Sequence, residues 1–97
     1  MALRVRLGDG FDNDTVSLRV NGQQVFHKSG VTTDLRISRA DSVDVPVGSS
    51  PVRLEISVDG GPSAVKEITP AVTPFVDANL VEGRLELQAL PRETPML

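Results

Sequence analysis

The sequence predicts an all-β fold: a two-sheet antiparallel β-sandwich of immunoglobulin-like or jelly-roll topology, built from seven to nine short strands. Three observations carry that expectation. Apolar and polar residues alternate along most of the chain, the period of a strand with one buried face. Glycine, proline, asparagine and aspartate interrupt the alternation every 8 to 12 residues, as in sandwiches and small barrels. No stretch carries the 3.6-residue period of an amphipathic helix.

Residues 2–7 place Leu3, Val5 and Leu7 on one side and Arg4 and Arg6 on the other, a half-buried strand. Residues 8–14 hold two glycines and three aspartates and read as loop. Residues 15–20 alternate Val16, Leu18 and Val20, and Asn21-Gly22 turns the chain into a strand over residues 23–28. That dipeptide is the strongest short-range hairpin signal, because a type I′ turn needs positive φ at both central residues. Val25 and Phe26 fall on opposite faces, which leaves the register of the returning strand unclear. Ser29-Gly30 is expected to break the chain. Residues 32–39 set Leu35 and Ile37 against Asp34, Arg36 and Ser38, and residues 40–42 read as a turn or one helical turn capped by Ser38 or Asp41.

Val43, Val45 and Val47 then alternate with Asp44 and Pro46. A proline has no ladder donor, so this strand belongs at an edge or ends early. Residues 48–51 form a loop, and residues 52–58 are the cleanest strand, with Val52, Leu54, Ile56 and Val58 inward. Residues 59–62, including Gly60-Gly61, make a turn into a strand over 63–69. Pro70 and Pro74 bracket residues 71–73 as an extended crossing. A second tight hairpin joins residues 75–81 to 84–89 through Glu82-Gly83. The inward set is Leu3, Val5, Val16, Leu18, Val20, Leu35, Ile37, Val43, Val45, Leu54, Ile56, Val58, Leu85 and Leu87.

Ninety-seven residues make a single domain, expected over residues 1–90, with 91–97 as a C-terminal tail. Three Phe and no Trp or Tyr leave the core to Val, Leu and Ile. A net charge of −3 argues against nucleic acid or an anionic membrane surface as the main partner. The absence of Cys removes disulfides, thiolate metal sites and cysteine nucleophiles. No apolar run approaches the ~20 residues of a membrane-spanning helix. The N-terminus enters strand-like alternation without a hydrophobic signal region, which fits a cytoplasmic protein or a domain excised from a longer one.

Asp9, Asp12 and Asp14, with Asn13 beside them, set hard oxygen ligands on a glycine-containing loop, the donor chemistry Ca²⁺ prefers. Their spacing does not follow the EF-hand pattern, and aspartates also populate turns because they bond their own backbone. His27 is the only histidine. A catalytic role needs a nucleophile and an orienting carboxylate, and no Gly-x-Ser-x-Gly, His-Glu-x-x-His or phosphate-cradling loop accompanies it. An enzyme would have to set Asp9 or Asp12 beside His27 as acid and base. Arg4, Arg6, Arg19, Arg36, Arg39 and Arg53 face outward and are expected to pair with acids on neighbouring strands rather than to form a basic stripe.

The run Asp14-Thr-Val-Ser-Leu-Arg-Val-Asn-Gly22 and the Gln-Gln-Val after it resemble the hairpin of accessory β-sandwich modules, including calcium-dependent carbohydrate-binding ones. The resemblance implies ligand roles for Asp9, Asp12 and Asp14 alone, and the chain lacks the Trp and Tyr on which sugars stack. Residues 51–61 are similar to strands of immunoglobulin-like and transthyretin-like add-on domains. No enzyme activity is expected. The expected function is a non-catalytic module that binds another protein or a second copy of itself through an edge at residues 43–47. The alternative is a Ca²⁺-dependent carbohydrate-binding module using residues 9–14. The tail is expected to lie off the core, with Met96 and Leu97 docking on a neighbouring molecule.

Overall fold

The computed structural model describes residues 2–34, 36 and 39–91. Eight strands follow one another: β1 (Ala2–Leu7), β2 (Asp14–Val20), β3 (Gln23–Val31), β4 (Asp41–Pro46), β5 (Val52–Val58), β6 (Ser63–Ile68), β7 (Phe75–Val81) and β8 (Arg84–Leu90). They form two four-stranded sheets, ordered β4-β1-β7-β8 and β3-β2-β5-β6. The fold is therefore all-β, a two-sheet sandwich. β6 runs beside β8 along one seam between the sheets, and β3 runs beside β4 along the other.

Every sheet contact is antiparallel except one: β1 pairs in parallel with β7, Val5 opposite Val76 and Leu7 opposite Ala78. The sandwich is antiparallel as expected apart from this pair. Alternation has the same period in either orientation, and the two strands lie some seventy residues apart, so no turn chemistry announces how they meet. β1 sits inside its sheet, and Leu3, Val5 and Leu7 are fully buried. The core joins them to Val16, Leu18, Leu54, Ile56, Ile68, Val76 and Ala78, with Phe11 as its one fully enclosed aromatic ring. Val20, Val43, Leu85 and Leu87 pack against it from the margins. Leu35 and Ile37, expected inward, lie outside the described residues, as do positions 92–97 of the tail.

Local departures have local causes. Both short hairpins carry the expected positive φ, at Asn21 (53°) and Gly22 (84°) and at Glu82 (50°) and Gly83 (77°). The unclear register of residues 25 and 26 is a β-bulge: Leu18 faces Phe26, but Arg19 faces Gln24. Ser29-Gly30 does not break the chain; β3 runs on to Val31, because Gly30 takes φ 69° within the strand. The described residues between β3 and β4 form no strand, only an isolated bridge from Asp34 to Arg39. Residues 71–73 are not an extended crossing but part of a turn. The Val72 and Thr73 amides both donate to the Thr69 carbonyl, and the fixed φ of Pro70 suits that corner.

Candidate functional site

The acidic loop is a bridge between the two sheets. Its chain leaves β1, and the Gly8 and Leu80 amides continue the β1–β7 ladder by donating to Ala78 O and Asp9 O, each at 2.8 Å. Gly10 (φ 94°) lies flat on β7: a Cβ there would collide with the Leu80 carbonyl. Phe11 then turns inward and caps the core. Thr33, buried after β3, clasps the loop from the other side. Its hydroxyl donates to Gly8 O at 2.7 Å and accepts from the Phe11 amide at 3.0 Å, while its own amide donates to Phe11 O.

The aspartates sit on the outer rim of this clasp. The Asp14 carboxylate accepts the Asp12 amide at 2.9 Å, a side chain bonding its own turn. The Asp9 amide donates to Asn79 Oδ1, and the Asn13 amide to Thr32 Oγ1. Asp9 and Asp12 are exposed. Among the described residues, no three His, Asp or Glu side chains gather in a group that could hold a metal ion. The loop's geometry is accounted for by its hydrogen bonds to β7 and to the start of the β3–β4 connection.

His27 lies on the open outer face of the β3-β2-β5-β6 sheet. Its Nδ1 meets Ser17 Oγ at 2.8 Å, on the strand directly opposite. The register continues this line across the sheet to Ser57 and Ser63, a row of one imidazole and three hydroxyls. The structure thus pairs His27 with a serine rather than with Asp9 or Asp12. A serine beside a histidine resembles the start of a nucleophilic device. His27 is exposed and Ser17 half-buried, so the pair lies at the open surface of the sheet.

Most of the arginines are placed against acids. Arg4 Nε meets Asp44 Oδ1 at 2.8 Å, and this hydrogen bond holds the Asp44 carboxyl below the usual carboxylate range. Arg36 does the same to Asp34 and has its own pKa raised in return. The register sets Arg19 opposite Glu55 and Arg53 opposite Glu67. Arg6, expected on a solvated face, is buried. Its guanidinium grips the Asp77 carboxylate with two bonds, at 3.0 and 2.8 Å. An interior strand has neighbours on both sides, and they cover a side chain that a lone strand would leave wet.

A depression of mixed lining, with Asn21 and Gln23 on its wall, lies where the β2–β3 hairpin passes the end of β4. Val20, Val25, Val45, Pro46, Val47 and Val52 line a groove of about 260 Å³. The strand expected at residues 43–47 is an edge, as its proline implies, and it ends at Pro46. Sequence reasoning missed Thr33 and Phe11. Phe11 had a signal, as the one apolar residue in a polar loop; Thr33 had none, because its role needs three segments brought together. Comparison with family models, with curated proteins and with solved structures finds no match to this chain.

Proposed function

We propose that this chain is a non-catalytic interaction module that recruits a strand from another protein, or from a second copy of itself, at an open sheet edge. One observation carries the reading: among the described residues, both sheets end in strands with one unpaired side, at β4 and β8 in one and at β3 and β6 in the other. Unpaired edges present rows of N–H and C=O groups, which is the chemistry by which sheets add strands. β4, with the valine groove at its end, is the edge that the sequence itself points to. Sedimentation over a concentration series tests the self-association branch. Binding of a synthetic extended peptide that adds backbone protection along one edge supports the partner branch. Failure of both removes the proposal.

The alternative, a Ca²⁺-dependent carbohydrate-binding module, rests on the exposure of Asp9 and Asp12 at one end of the sandwich. A thermal melt with and without millimolar Ca²⁺ decides it. An ion at a hundredfold excess over Kd adds about 2.7 kcal/mol. An unchanged midpoint leaves that reading without its residues.

A further inference from the structure

Three of the four edge strands carry a charge in the row of side chains that faces the core. On β3 it is Lys28, opposite Val16; on β4 it is Asp41, opposite Leu7; on β6 it is Lys66, opposite Leu54. Lys28 and Asp41 meet across their seam at 2.7 Å. An inward-pointing charge on an edge is a device against strand addition, since a docking strand would bury it. β3 adds two register shifts and β4 adds Pro46, both further obstacles to a regular ladder.

β8 has none of these. Its inward row is Leu85, Leu87 and Ala89, all apolar and all packed on the core. It holds no proline, and it pairs with β7 through seven consecutive partners without a shift. The hydrogen-bond phase of its free side follows from its neighbours. Ala78 turns its carbonyl to β1, so Phe75, Asp77, Asn79 and Val81 face β8 and bond Leu90, Gln88, Glu86 and Arg84. The N–H and C=O groups of Leu85, Leu87 and Ala89 therefore point away from β7, and no described strand pairs with them in a ladder, β6 lying beside β8 across the seam in the other sheet.

We infer that β8 is the docking edge and that its occupant is the β8 strand of a second copy, antiparallel about a two-fold axis at Leu87. This rests on the proposed function and names its site and partner. The strand is complementary to itself in that register. Leu87 faces Leu87, Leu85 faces Ala89, and the outward-turned residues exchange both their backbone bonds, six in all by this geometry. On the solvent side each Glu86 carboxylate faces the Gln88 amide of the other copy, an ionised acceptor opposite a neutral donor. No like charges stand directly opposite. The two core-facing rows join into one apolar layer running through an eight-stranded sheet.

The test is sedimentation equilibrium up to millimolar concentration on the wild type and two variants, each checked for fold by circular dichroism. Ala89→Pro removes a donor that points off the sheet and leaves every β7–β8 bond its donor and acceptor. Glu86→Ala changes an exposed side chain and removes the acceptor facing Gln88 without putting a donor in its place. The wild type is expected to reach twice its 10.4 kDa mass. Ala89→Pro should weaken association roughly ten- to hundredfold, from the loss of one hydrogen bond on each side of the axis. Glu86→Ala should weaken it as well, though by less, which keeps the question decidable if the proline variant fails to fold. Association undiminished in both variants overturns the assignment to β8 while sparing the interaction-module reading. A wild type that remains monomeric throughout overturns this inference together with the self-association branch of that reading.

Discussion

Replacing Thr33 by Val tests whether the acidic loop is held as a structural clasp. The change swaps Oγ1 for a methyl group of nearly the same shape, so packing is preserved and chemistry alone is altered. Two bonds disappear, 2.7 Å to Gly8 O and 3.0 Å from the Phe11 amide. Gly8, Phe11 and Thr33 are all buried, so water does not replace them readily. An unsatisfied buried backbone group costs about 1–3 kcal/mol, and the added methyl returns about 0.8 kcal/mol. With two groups left unsatisfied at about 1.5 kcal/mol each, the net expectation is a loss of about 2 kcal/mol. For a chain of this size that is roughly 8–16 °C in Tm. Urea denaturation followed by circular dichroism measures it, with Thr33→Ser as the companion that keeps the hydroxyl and loses only a methyl group. A Thr33→Val loss under about 0.5 kcal/mol, or one no larger than that of Thr33→Ser, would refute the clasp.

Three further outcomes follow from the same geometry. Gly10→Ala should destabilise by several kcal/mol in a thermal melt, since it combines φ 94° with a collision against the Leu80 carbonyl; a neutral result means the loop does not lie on β7 as described. Arg6→Met strands the Asp77 carboxylate at 19% side-chain exposure and should cost about 2–3 kcal/mol, while Arg6→Met with Asp77→Leu should recover most of that loss. Equal losses in the single and double variants would contradict the pairing. Asp44 has a folded pKa below the ordinary 3.8, so its pairing with Arg4 stabilises the fold above that value and ceases to as pH falls through the folded one. Asp44→Asn should therefore be less stable than wild type at neutral pH, and the gap should close in strong acid; a gap independent of pH would rule the pairing out.

Much of the architecture could be read from local chemistry. Asn21-Gly22 and Glu82-Gly83 announce their hairpins, and Pro46 announces an edge. Strand period alone places Leu3, Val5, Leu54 and Ile56 inside. What escaped the sequence is what depends on distant segments meeting. Alternation is blind to strand direction, so the parallel β1–β7 pair was hidden, and with it the burial of Arg6 against Asp77. Residue type alone marks Asp9, Asp12 and Asp14 as oxygen ligands, whereas the backbone directs their turn toward Asn79, Thr32 and Thr33. The four edges were invisible as a set. Lys28, Asp41 and Lys66 read as ordinary strand charges until register shows each one facing the core.

The most direct test of the claim that β8 is the open, self-complementary edge is amide hydrogen exchange by NMR at two protein concentrations. Arg84, Glu86 and Gln88 bond β7 and should be protected at both. Leu85, Leu87 and Ala89 should exchange fast in the dilute sample and become protected in the concentrated one, in step with the rise in mass. Fast exchange of these three amides at every concentration would contradict the account, as would concentration-dependent protection appearing at Val43 and Val45 on β4 instead.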